Sequence, residues 1–340
     1  MGILKKTYPL LFAFILTGCY EDFIPEIDTK PVLCLNSLIT AGHPIEVNVT
    51  HTWLFSDKNA SENHKVDDAT VYIYANGIVQ DSDYLPQEGD RIKIVAESAT
   101  YGYAEAEVSV PVSVPISSLS WEAEVTRRWA SIHPELNSFI FSINLKAKMG
   151  IKDDADHDNY YYFGYYGFPF DYVSPYDETG YQSVSLYPGR LNYEAEPIFS
   201  EHMDALDEII SDVAYGFTFF TDSQFAGKTY TLNLKFEDIH YSASFKDFSE
   251  ELVDCGLNLT LYSVSESFYN WSIYKWNDMD GKIGDLTDVG FCDPIWGYSN
   301  VSTGAGVVAA QSYASYQINL KDFLKEEIIN CLSTNETINP

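Results

Sequence analysis

From Pro31 to Val112, short β-branched and aromatic runs alternate with clusters of Gly, Pro, Asp and Asn: "PVLCLNSLIT", "PIEVNVTHTW", "ATVYIYANG", "RIKIVAESA" and "AEAEVSVPV". Within "EVNVTHTW" and "TVYIYA", apolar and polar positions change places at every second residue. That period turns one face of each strand to a core and the other to water. Runs of this length with no helical period between them predict an Ig-like β-sandwich over 31–112. "VPVSVPISSLSW" interrupts the pattern with Pro111 and Pro115, which remove ladder donors and stiffen the chain, so it marks a domain junction. Beyond it "SFIFSINLKAK", "NYYYFGYYGF", "KTYTLNLKFE", "LNLTLYSV" and "SYASYQINL" predict a second β-rich domain over 116–320.

The period changes to a helical one at about 265–279. "ESFYNWSIYKWNDM" places Phe268, Trp271 and Lys275 on one stripe and Tyr269, Ile273 and Trp276 on the next. Ser263 with Glu266 has the spacing of a capping box at its start. So many rings on one helix predict that it packs on a sheet. "SEHMDALDEIISD" and "LKDFLKEEII" are shorter helical candidates, the latter opening a C-terminal helix and tail over 321–340. The predicted fold class is mainly β: two β-sandwich-like domains, the second with an inserted α-helix packed on its sheet.

The N-terminus follows a different logic. Lys5 and Lys6 precede an apolar run from Tyr8 to Leu16 and then Thr17-Gly18, the order of a secretory signal over residues 1–18. A spanning helix needs about 20 apolar residues, and this run has roughly half. Leu16-Thr17-Gly18-Cys19 resembles the bacterial lipobox, in which the cysteine becomes the acylated first residue and ties the protein to a bilayer. Glu21 and Asp22, in the acidic tether 19–30, resemble the signal that sends Bacteroidetes lipoproteins to the outer face of the outer membrane. The expected location is therefore the outer membrane, lipid-anchored and facing the cell surface.

Composition narrows the partners. The chain carries 50 acids against 20 bases, a formal charge of −30. Such a balance argues against nucleic acid and against broad contact with anionic lipid. At 46% apolar and 15% aromatic residues, the acidic chain still has the material for a packed core. Once Cys19 is lipidated, Cys34, Cys255, Cys292 and Cys331 remain, enough for two bridges or for free thiols. Cys34, inside an apolar strand, fits a buried thiol.

Candidate chemistry is sparse. "DDADHDN" offers Asp154, Asp156 and Asp158 at alternating positions, a spacing that suits calcium, but Asn159 and Tyr165 stand where an EF-hand loop wants Gly and Glu. A solvated turn between strands accounts for it better. "GAGVVA", Gly304 to Ala309, fits GxGxxA in form, yet a loop precedes it and a β-like run follows, so its glycines serve a tight turn or bulge. HExxH, GxSxG and P-loop patterns do not occur. The expectation is a non-enzyme without cofactor.

The most distinctive stretch is Tyr160 to Tyr187. "YYYFGYYGF" fits a strand with aromatics on both faces, one packed and one outward. The following loop carries Phe170, Tyr172, Tyr176, Tyr181 and Tyr187, rings suited to a sugar, a peptide or a protein partner, or else folded onto their own domain.

Taken together, "PVLCLNSLIT", "VDDATVYIYANG", "PVSVPISSLSW", "NYYYFGYYG", "PIFSEHMD", "LNLTLYSVSESFYNWSIYKW" and "DPIWGYSNVSTGAGVVAAQS" stand in the order found in the exported Bacteroidetes lipoproteins of domain-of-unknown-function family 4249, which the chain resembles from Cys19 to about Leu320. Val307-Val308-Ala309 departs from the family's usual glycine and aromatic. The resemblance implies a surface or periplasm-facing lipoprotein, commonly encoded beside a TonB-dependent transporter, with no established enzymatic activity. The expected function is that of a transporter accessory that captures a ligand (sugar, peptide or chelate) or partners the barrel. The alternatives are a free-standing adhesin and a glycan hydrolase, which would need two carboxylates about 5 to 9.5 Å apart across a cleft.

Overall fold

The computed structural model describes residues 30–53, 64–133, 136–154, 157–168, 182–200, 217–245, 252, 254–279 and 297–334. In chain order the first strands are β1 (Leu33–Thr40), β2 (Asn48–His51), β3 (Thr70–Ala75), β4 (Ile78–Gln80), β5 (Arg91–Ser98) and β6 (Gly102–Ser109). There follow β7 (Ile116–Ser131), β8 (Asn137–Lys152), β9 (Tyr160–Phe168), β10 (Gln182–Tyr187), β11 (Arg190–Leu191), β12 (Phe219–Thr221) and β13 (Thr229–Phe245). The chain then runs through β14 (Gly256–Val264), helix α1 (Glu266–Met279), β15 (Ala305–Asn319) and helix α2 (Lys321–Thr334).

These strands make three sheets. One has the order β12-β9-β14-β15-β1-β2, a second β10-β13-β8-β7 with β11 beside β13, and a third β4-β3-β5-β6. The larger core lies between the first two sheets: Tyr161, Phe163, Leu259 and Leu261 face Phe139, Phe141, Phe236 and Tyr241. Leu324, Ile328 and Cys331 of α2, spaced three to four residues apart, close one side of it. The smaller core lies between β1 and β15 of the first sheet and the third sheet, joining Leu35, Ile39, Val308 and Ala310 to Ile92, Ile94, Ala104 and Ala106. The proline-marked junction passes from one core to the other, with Val110 in the smaller and Val114 in the larger.

The 31–112 segment does not close on itself. Its first strand, β1, runs parallel to β15, with Cys34 opposite Ala305 and Thr40 opposite Gln311. The edge of β6 is strapped to the approach to β15, where Ser302 and Glu105 exchange backbone hydrogen bonds of 2.8 and 3.3 Å. Three local expectations change. "PISSLSW" is the start of the 16-residue β7, since a proline just before a strand removes no ladder bond inside it. Gln182–Tyr187 pairs with β13 instead of remaining loop, its Val184 and Leu186 inward and Tyr187 outward. Ser263 does not cap α1: pairing holds β14 in the sheet as far as Val264, and Ser263 is buried within it. Ser265 takes that role, its Oγ accepting from Phe268 N at 3.3 Å and from Ala310 N at 3.0 Å.

In the second sheet, Glu237 sits at a bulge in β13 between Phe236 and Ile239. Lys235 at 2.6 Å, with Asn192 and Arg190, holds its carboxyl down at about 2. Because the folded value lies below the unfolded one, this contribution to stability is present above about pH 4.5 and is lost as pH falls towards 2. Glu237→Gln is expected to lose less of its urea midpoint than the native chain between about pH 5 and pH 2. An equal loss in both would remove Glu237 from the acid response. Among the described residues no helix is long and apolar enough to cross a membrane.

Candidate functional site

Charged residues make up 21% of the chain, yet none of the six strands of the first sheet carries an Asp, Glu, Lys or Arg. Half of each strand faces a core, where charge is costly. The outward half has no such reason to be neutral. The third sheet, by contrast, carries Arg91–Glu107 and Lys93–Glu105 ion pairs on its outer face.

On the outer face of the first sheet, Tyr162 of β9, Tyr262 of β14 and Tyr313 of β15 stand directly opposite one another across three neighbouring strands. Their ring centroids are 5.3 and 5.6 Å apart. The row continues to Phe219 at 4.6 Å on one side and His43 at 6.4 Å on the other. Gly164 beside this row leaves room for the Tyr262 ring, which a Cβ there would meet at 3.2 Å. Burial pushes the Tyr162 and Tyr262 hydroxyls up from their usual range, which keeps them neutral. Below the row, Asn258 donates its amide N–H to the Tyr166 hydroxyl, and Thr260 Oγ1 lies 2.9 Å from Ser315 Oγ. Asn258 is 7% exposed, and its Oδ1 has no hydrogen-bond partner.

The same face runs into an open groove of about 850 Å³. Asn36, Leu38, Val307 and Ala309 form its floor, and Phe268 and Trp271 of α1 form one wall. The helix is held there because Ser267 Oγ donates to Val308 O at 2.9 Å and Tyr269 packs on Tyr160 at 4.8 Å. Gln311, which donates to Thr40 Oγ1 at 3.1 Å, lies between the groove floor and Tyr313 along β15. Groove and tyrosine row are therefore one continuous surface. It offers rings, amides and hydroxyls, and the groove lining adds Glu46, Lys65 and Asp67.

Of the residues singled out in the sequence, Cys19, Glu21, Asp22, Phe170, Tyr172, Tyr176 and Tyr181 lie outside the described residues, as does Cys292. Tyr187 is described, 66% exposed, with its ring 6.5 Å from that of His240. It points outward from the second sheet and so away from the groove, on the opposite side of the sandwich. Asp154 and Asp158 are exposed, and Asp156 lies outside the described residues. The buried carboxylates at this turn are Asp153 and Asp222, bridged by the Asn159 amide at 3.2 and 3.3 Å, and burial pushes Asp222 up. Among the described residues no three acids, histidines or cysteines are grouped to hold a metal. Cys34, Cys255 and Cys331 are buried, and burial pushes Cys255 up to about 12.

Sequence reasoning marked outward aromatics on β9 but missed Tyr262, Tyr313 and Asn258 as their neighbours. The signal that could have found them is the run of strands without charge. Residues 20–317 match a family model described as a domain of unknown function, DUF4249. No curated protein and no solved structure matches the chain.

Proposed function

The chain belongs to the DUF4249 family, and from that premise we propose that it is a non-enzymatic, lipid-anchored binding module of the outer membrane, accessory to a TonB-dependent transporter. The observation that carries this reading is the row of tyrosines on charge-free strands, running into a groove beside it, on a body of net charge −30. The strands under the row carry no Asp, Glu, Lys or Arg, which suits a surface that holds a ligand without altering it. The lipobox-like Leu16-Thr17-Gly18-Cys19 and the acids behind it support attachment to a membrane through Cys19.

The test is isolation of a C-terminally tagged copy from native outer membranes in mild detergent. Recovery of a stoichiometric β-barrel is the expected result. Recovery of the lipoprotein alone would overturn the accessory role and favour a free-standing adhesin.

A further inference from the structure

We infer that the uncharged face takes a neutral oligosaccharide laid across the tyrosine row, an inference that rests on the binding-module reading above and assigns its ligand class. Three observations converge on it.

The first is charge. Anionic ligands would approach a body of −30 and find no cation on the six strands to receive them. A cationic ligand would find no carboxylate on those strands either. The electrostatic complement of such a face is a ligand with no charge.

Ring spacing is the second. Tyr162, Tyr262 and Tyr313 present one ring per strand, stepping across the sheet at 5.3 and 5.6 Å, close to the strand spacing of about 4.8 Å. A pyranose has an apolar face of C–H groups and a rim of hydroxyls, which matches a tyrosine's flat ring and polar edge. Tyr162 and Tyr262 stack on each other at 29°, so a sugar meets their hydroxyl edges. Tyr313, tilted 52° from Tyr262 and 45% exposed, and Tyr166 beside the row, 43% exposed, are the rings most open to its C–H face.

The third is the hydrogen-bonding inventory. Asn258 Oδ1 is a buried acceptor with no partner, on the same side of the sheet as the row and beside Tyr166. A buried amide with one end unmade costs about 1–3 kcal/mol, so a hydrogen-bonding group is the missing element there. A sugar hydroxyl supplies one as Tyr166 shifts. Ser315 and Gln317, both exposed on the outward side of β15, add a hydroxyl and an amide, and behind them Thr260 is bonded to Ser315 and Gln311 to Thr40. A protein partner also favours tyrosine and dislikes charge, but its interface carries only about one hydrogen bond per 100–200 Å². So dense a set of amides and hydroxyls is better answered by a ligand with a hydroxyl on nearly every carbon.

The experiment applies the intact lipoprotein, in detergent, to an array of neutral glycans printed beside sialylated and uronic-acid glycans. Binding to at least one neutral chain is expected, about tenfold weaker in Tyr313→Ala, retained in Tyr313→Phe and lost in Ser315→Glu. Both positions are exposed, and unchanged urea midpoints would show that the variants fold. Binding to no neutral glycan, binding to anionic glycans alone, or equal binding by Tyr313→Ala would each overturn the inference. If Tyr313→Ala instead releases a co-purifying barrel and no glycan binds, the face is a protein interface: the inference fails and the accessory function stands. Neutral-glycan binding without any barrel gives the reverse.

Discussion

Phe141→Ala is expected to lower stability by about 4 kcal/mol, the middle of the range for emptying a fully buried phenylalanine site. Phe141 lies in β8, buried in the larger core, with its ring 5.9 Å from Tyr241 and 6.3 Å from Phe139. Tyr241 is its direct partner on β13, and Arg128 stands opposite on β7. A backbone fixed by long ladders on both sides collapses little into the space left behind. The urea midpoint should fall with the slope of the transition unchanged. A loss below about 1 kcal/mol would mean that the neighbouring rings refill the site.

Gly306→Ala is the second large effect, expected at about 3 kcal/mol from backbone strain and overpacking together. Gly306 has φ of +109° and pairs with Leu35 across the parallel β1–β15 ladder. A Cβ there would fall within the contact radius of the Leu35 backbone carbonyl oxygen, which cannot rotate away. Gly42 is the natural control: its φ is +75°, but a Cβ would meet nothing within 4 Å. Gly42→Ala should therefore cost only about 1 kcal/mol, the conformational share alone. Equal losses at the two sites in urea titration would show that the close approach to Leu35 contributes nothing.

That glycine also shows what the chain discloses locally and what it withholds. "GAGVVA" reads as a turn or bulge in the sequence, yet Ala305–Ala309 lie inside β15 in unbroken register with β1. The carbonyl that requires Gly306 belongs to a residue near the other end of the chain. The same division holds elsewhere. "TVYIYA" and "LNLTLYSV" are legible as strands from their period, and the α1 segment from its aromatic stripes, though its cap is Ser265 and not the expected Ser263. Register between distant strands is not written in any one segment. Tyr162, Tyr262 and Tyr313 each look like an ordinary outward tyrosine until pairing aligns them. Tyr187, flagged for its setting among loop aromatics, turns out to belong to a different sheet because Val184 and Leu186 fill the larger core and fix the strand's facing.

The parallel pairing of β1 with β15 also sets a schedule for synthesis. Asn36 and Val307, which meet through a side-chain hydrogen bond, are 271 residues apart. At about 5–20 residues per second, β1 leaves the ribosome on the order of 10–50 s before its partner exists. During that interval Leu33, Leu35 and Ile39, all buried in the finished molecule, belong to a strand without its neighbour. The N-terminal half thus cannot mature first and wait for the rest. A chain cut short of Ala305 would leave both halves open, and the nascent protein depends on whatever shields an unpaired strand until its last sheet residues arrive.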